Sequence, residues 1–297
     1  MPRKPPAQGE ALVVWALVAV DVLAVLVTYS WVDPGELYSV SRDGLAGGLS
    51  RALVQLNFPT VALVAIPLAL LALDVLPQRA WLLGAPAIAF CLVAVWPGVV
   101  DPDDLDAKAV NALPALGVAL AFPLTFAAAR LVGAGFAAPR RHDRLRIGIA
   151  VLVVLVSLPW FAAEIGFHFP PVVFLTDQLY AEPGRAASAA VHLGHHHGFD
   201  GTLLVLYALV LSRPRLDGRW VERAYAALVC LALAYGGANL VNDLWHEQVV
   251  KRGWSSWDVP SPTVPRLHLI WALILAATAA FYVLGFARAD ESARDPR

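Results

Sequence analysis

Histidine and carboxylate residues are concentrated in the second half of this 297-residue chain. Seven of the eight histidines follow residue 160, and acidic residues stand close to most of them. Imidazole nitrogen and carboxylate oxygen together suit zinc, iron or copper, whereas calcium and magnesium prefer oxygen ligands alone. The pattern therefore predicts a transition-metal site. Its candidate ligands are His168, His192, His195, His196, His246, His268, Glu164 and Asp200.

Helical spacing groups several of these residues. Glu164 and His168 are four residues apart, so a helix through both places them on one face. In the same way, a helix starting near residue 186 places His192, His196 and Asp200 within about 80° of one another. We expect these faces to point into a bundle, because ionisable groups are costly against lipid.

A third polar stripe runs from Tyr235 to Glu247 at helical spacing. It contains His246 and four residues suited to catalysis. Asp243 and Glu247 are candidate general bases, and Asn239 and Asn242 are candidate groups that orient a substrate. These ligands outnumber what one ion can bind, so the sequence predicts either a dinuclear centre or one ion whose ligands are oriented by the remaining residues.

Eight apolar runs can carry these residues across a membrane. A bilayer core of about 30 Å requires about 20 apolar residues in a helix, and 59% of this chain is hydrophobic while only 15% is charged. We therefore predict an all-α polytopic membrane protein. The predicted spans are 11–31, 58–76, 80–100, 109–131, 145–163, 186–211, 221–245 and 267–286.

The basic residues predict the orientation of these spans. With the N-terminus in the cytoplasm, cytoplasmic segments hold 15 of the 22 Lys and Arg residues, as the positive-inside rule requires. An even number of spans then returns the C-terminus to the cytoplasm. All seven histidines of the second half fall at the extracytoplasmic face, and a multi-pass protein of the plasma membrane is expected.

One membrane domain, 1–297, accounts for the whole chain, with two halves of four helices each. Spans 1 to 4, within residues 1–131, contain few embedded polar groups and are expected to be mainly scaffold. Spans 5 to 8, within residues 145–286, carry the predicted site, and 287–297 form a short cytoplasmic tail. Asp21 is an isolated carboxylate in the first span and has no evident role.

The composition of the chain limits which classes of binding partner are expected. A net charge of −1 gives no basis for binding nucleic acid, so membrane lipid and a lipid or apolar small molecule are the expected partners. The two cysteines, Cys91 and Cys230, lie in apolar runs and are expected to be core residues. No motif assigns the chain to a family.

Three functions remain open. The first is a metal-dependent oxidoreductase or hydrolase that acts on a lipid or apolar substrate from the outer leaflet. The second is a redox protein that binds haem through two histidines, which would not need the carboxylates. The third is a metal transporter or an assembly subunit without catalysis. The clustered carboxylates favour the first function.

Overall fold

The computed structural model describes residues 8–101, 103–140, 142–181, 187–257, 259–263 and 269–287. This part of the chain is almost entirely helical, and its only strands form one short antiparallel pair. The α-helices are α1 (Gly9–Trp31), α2 (Gly44–Gln55), α3 (Val64–Leu73), α4 (Trp81–Leu92), α5 (Ala112–Val132), α6 (Asp143–Val156), α7 (Leu158–Glu164), α8 (His197–Leu211), α9 (Arg219–Asp243) and α10 (Leu269–Tyr282). The strands are β1 (Leu179–Tyr180) and β2 (Ser188–Ala189).

Shorter helical turns extend several of these helices. Segments with π-helical hydrogen bonding precede α3 (Pro59–Leu63), continue α9 (Leu244–Val250) and continue α10 (Val283–Ala287). Turns of 3₁₀ helix are Pro34–Glu36, Gln78–Ala80, Val93–Val95 and Ala109–Asn111. The π-helical continuation of α9 matters for the site, because it changes which side chains share a face.

Five of the described helices are long and apolar enough to cross a membrane: Gly9–Trp31, Gln78–Val95, Ala109–Val132, Arg219–Val250 and Leu269–Phe286. The number rises to seven if two bent pairs, α2 with α3 and α6 with α7, each form one span. The pairs bend by 49° and 62°, respectively. The all-helical fold is thus confirmed, and five to seven helices are candidate membrane spans; the predicted number of eight spans is not confirmed.

The sixth predicted span, 186–211, is wrong in its first half. Residues 188–189 form β2, and α8 begins only at His197 and has 15 residues. Gly194 interrupts any helix here, since its φ of +91° lies in the region that favours glycine. Its backbone N–H donates to the Ala163 carbonyl at 2.8 Å, which ties this segment to the end of α7.

The core lies between the two halves of the sequence. All ten residues of α3 are buried, and α8 packs along α9 through an approach between Gly201 and Gly236. By contrast, α6 and α10 each bury a single residue, Val153 and Ile274. Exposed leucine, isoleucine and valine cover the outside of α4, α6 and α10, as expected for helices that face lipid.

Candidate metal centre

Two consecutive histidines enter the core from the non-helical segment before α8. His195 and His196 are 8% and 3% exposed. The backbone at His196 is extended, with φ −127° and ψ 148°, and successive side chains of an extended backbone point in opposite directions. The two imidazoles therefore meet different sets of carboxylates.

His196 faces two acidic residues at the end of α9 and in its π-helical continuation. His196, Asp243 and Glu247 each offer one ligand atom within 4.8 Å of the other two. The His196 Nδ1 atom lies 3.1 Å from Glu247 Oε1. We call these three residues the His196 group.

Hydrogen bonds to neighbouring residues fix the orientation of each member of the His196 group. The Gly198 backbone N–H, in the first turn of α8, donates to Asp243 Oδ2. The Trp160 indole N–H donates to Glu247 Oε2, and His196 Nε2 lies 2.8 Å from the His192 carbonyl oxygen. One oxygen of each carboxylate and one imidazole nitrogen are thereby left for a common ligand.

His195 lies between two other carboxylates. Its Nδ1 is 3.0 Å from Glu164 Oε2, and its Nε2 is 2.8 Å from Asp200 Oδ2. Asp21, in the middle of α1, completes a second cluster, because Asp21, Glu164 and His195 each offer a ligand atom within 4.8 Å of the others. We call these three residues the His195 group.

Three predicted ligands in the described structure belong to neither group. His168 is exposed, because α7 ends at Glu164 and Gly166 turns the chain with a φ of +82°; the predicted i, i+4 pair is wrong. His192 stacks on His196, with ring centroids 3.9 Å apart, and its Nδ1 lies 2.9 Å from the Leu193 carbonyl oxygen. His246 Nε2 lies 3.0 Å from the Val259 carbonyl oxygen.

The predicted helical faces are wrong for identifiable structural reasons. His192 and His196 precede α8, so they do not share a helical face with Asp200; instead, Asp200 in the first turn of α8 reaches back to His195. Beyond Asp243 the π-helical hydrogen bonding advances each residue by less than 100°, which brings Asp243 and Glu247 closer to one face. His246, one residue before Glu247, points instead to the Val259 carbonyl oxygen. His268 lies outside the described residues.

The two predicted orienting amides contact backbone rather than either group. The Asn239 amide donates to the Tyr235 carbonyl at 2.9 Å, and the Asn242 amide donates to the Val259 carbonyl at 3.1 Å. Asn242 and His246 thus both hold the segment around Val259 against the end of α9. Trp257 belongs to the same segment and is exposed.

Sequence reasoning missed the part that Asp21 plays. The signal was present, because a lone carboxylate in the middle of an apolar span is rarely without function. Its partners could not be read from the sequence, since Glu164 and His195 lie more than 140 residues away in the chain.

The fold and the two groups define the class: an all-helical protein with membrane-span-like helices and buried histidine–carboxylate clusters that could hold metal ions. No protein-family model, curated protein or solved structure matches this chain.

Proposed function

We propose that the chain is an integral membrane metalloprotein that binds a divalent transition-metal ion at the His196 group. The proposal rests on the contacts of the two ring nitrogens of His196. His196 Nε2 faces the His192 carbonyl oxygen and must donate to it, so in neutral imidazole Nδ1 bears a lone pair. Nδ1 lies 3.1 Å from Glu247 Oε1, and two acceptors at this distance repel each other unless a cation binds next to both.

A metal ion fits this arrangement in geometry and charge. Two ligand atoms about 2.0–2.1 Å from a tetrahedral ion are about 3.3 Å apart, close to the observed separation. Asp243 and Glu247 together balance a divalent charge. A proton on Nδ1 is the competing explanation, and metal analysis separates the two.

The function supported best is that of a metal-dependent enzyme. Three protein ligands leave a coordination position for water or substrate, as in catalytic zinc sites, and a bound ion lowers the pKa of its water or polarises an ester or carbonyl oxygen. The substrate class that suits a site within apolar helices is a lipid or another apolar molecule. We assign no catalytic role to Asn239 or Asn242, because both amides donate to backbone carbonyls.

The alternatives have weaker support. The stacked rings of His192 and His196 leave no space for a porphyrin between them, which argues against haem held by this pair. A transport path through α8 would have to continue below Asp200, where the buried residues are mostly apolar, among them Leu203, Leu204 and Leu211.

The orientation also belongs to the proposal. We assign α8 as a short membrane crossing in addition to the seven candidate spans, which gives eight in total. Both termini then lie in the cytoplasm, and the His196 group lies towards the extracytoplasmic face of the plasma membrane. The excess of Lys and Arg in the predicted cytoplasmic segments supports this arrangement. A reporter fused after Arg297 that is active outside the cell would contradict it.

The test is the metal content of the protein purified in detergent without chelator. His196→Ala removes the only imidazole of the His196 group, so we expect it to lose that ion while retaining its helical circular dichroism. His168→Ala is the matched control, because His168 is exposed and belongs to neither group. Equal metal content in His196→Ala and wild type would contradict the assignment.

A further inference from the structure

The residues of the His195 group do not satisfy all of one another's hydrogen-bonding atoms. Asp21 and Glu164 are 2% and 1% exposed. One oxygen of each has a polar neighbour: Gln55 Nε2 donates to Asp21 Oδ2 at 2.9 Å, and Glu164 Oε2 lies 3.0 Å from His195 Nδ1. The other two oxygens, Asp21 Oδ1 and Glu164 Oε1, are buried and have no hydrogen-bond partner among the described residues.

Two unpartnered carboxylate oxygens in one buried cluster are unusual. Buried polar atoms are nearly always hydrogen-bonded, and a carboxylate pays a large desolvation penalty without a partner. The surrounding side chains do not supply the missing contact. Gln55 is itself held by Arg51, whose Nη1 donates to Gln55 Oε1 at 3.2 Å.

The charges in this region call for a cation. When all three are ionised, Asp21, Glu164 and Asp200 contribute three negative charges, and Arg51 contributes one positive charge. A divalent ion beside a neutral His195 brings the sum to zero. A proton on His195 alone leaves one negative charge uncompensated in an apolar surrounding.

His195 is already oriented for such an ion. Its Nε2 lies 2.8 Å from Asp200 Oδ2, and the Thr60 hydroxyl donates to the other oxygen of Asp200. With Nε2 protonated and donating to Asp200, Nδ1 becomes the ligand atom, which is the carboxylate–histidine–metal arrangement found in many metal sites. The Tyr29 hydroxyl accepts from the His195 backbone N–H at 3.2 Å and fixes the same residue from its other side.

We infer that Asp21, Glu164 and His195 form a second metal site, separate from the His196 group, that binds a divalent transition-metal ion such as Zn²⁺, Mn²⁺ or Fe²⁺. One nitrogen and two carboxylate ligands suit these ions. The two sites are not a bridged pair, because His195 and His196 point in opposite directions and no carboxylate belongs to both groups. This site includes a residue of the first helix, so that helix is more than scaffold.

The experiment compares zinc content in four full-length proteins: wild type, His196→Ala, Asp21→Asn and the double variant. Each is equilibrated with Zn²⁺ in detergent and freed of excess ion by gel filtration before metal and protein are measured. Expected contents are about two, one, one and zero equivalents. Asp217→Asn is the control for an aspartate exchange, because Asp217 is exposed and outside both groups, and it should retain two.

The pattern separates this inference from the proposed function. If only the His196 group binds, wild type and Asp21→Asn both hold one equivalent and His196→Ala holds none, which overturns the second site. If only the His195 group binds, Asp21→Asn holds none and His196→Ala holds one, which overturns the first. Glu164→Gln is the replacement variant if Asp21→Asn lowers the yield of folded protein, and it should also lose one equivalent.

Discussion

At the scale of single residues, metal binding depends on which nitrogen of each histidine already contacts a protein oxygen. The His192 carbonyl oxygen engages Nε2 of His196, and Asp200 engages Nε2 of His195. A hydrogen bond at one ring nitrogen fixes the tautomer and leaves the other nitrogen to bind a metal. Both histidines therefore present Nδ1 to their carboxylate groups.

Trp160 offers a test at this scale, because it contacts a carboxylate of the His196 group without being a ligand. Trp160→Phe removes the indole N–H that donates to Glu247 Oε2 but keeps an aromatic ring. We expect metal affinity at that group to fall by about 10- to 100-fold, as is usual when a residue that orients a ligand is lost. Competition with a chelator of known affinity measures the change.

Trp220→Phe is the control, since Trp220 is 76% exposed and its exchange should leave affinity unchanged. An unchanged affinity in Trp160→Phe would mean that the indole only fills space beside Glu247.

At the scale of elements, the sequence predicted the apolar spans and the enrichment of histidine and carboxylate in the second half. It did not predict where the helices break. The turn at Gly194 and the extended backbone at His196 send consecutive imidazoles to different groups, and periodicity assumes that neither occurs. A hydropathy pattern does not reveal the π-helical segment after Asp243 either. In that segment Glu247 points towards His196 and His246 points towards Val259.

The packing of α8 on α9 places Asp200 beside His195 and Asp243 beside His196. This packing requires glycine where the two helices approach most closely. A Cβ at Gly201 would lie 2.6 Å from the Gly236 carbonyl oxygen and 2.6 Å from the Leu240 nitrogen, both backbone atoms that cannot move alone. Gly201→Ala should therefore destabilise the protein by about 1–3 kcal/mol, the usual cost of overpacking, and should lower its thermal unfolding temperature in detergent.

Gly237→Ala is the matched variant on α9, because no atom lies within 4 Å of a Cβ at that position. It should be neutral or slightly stabilising, since alanine has the higher helix propensity. Equal unfolding temperatures for the two variants would show that the helices separate easily and do not set the geometry of the groups.

At the scale of the whole molecule, the His195 group lies where the two halves of the sequence meet, whereas all three residues of the His196 group come from the second half. Asp21 lies in α1, Gln55 in α2 and Thr60 in the π-helical segment before α3, and the remaining site residues come from α7 to α9 and the segments beside them. The buried helix α3 lies between these parts, while α6 and α10 present apolar side chains outwards. Assembly of the His195 group therefore requires both halves, and neither half is expected to bind metal at that group alone.

X-ray absorption at the metal edge of wild-type protein purified without chelator tests metal binding at the two groups most directly. We predict bound transition metal with nitrogen and oxygen ligands only, mostly about 2.0–2.2 Å from the ion, and with the multiple-scattering signal of one imidazole per ion. Less than about a tenth of an equivalent of metal, or a spectrum that requires two or more imidazoles per ion, would contradict it.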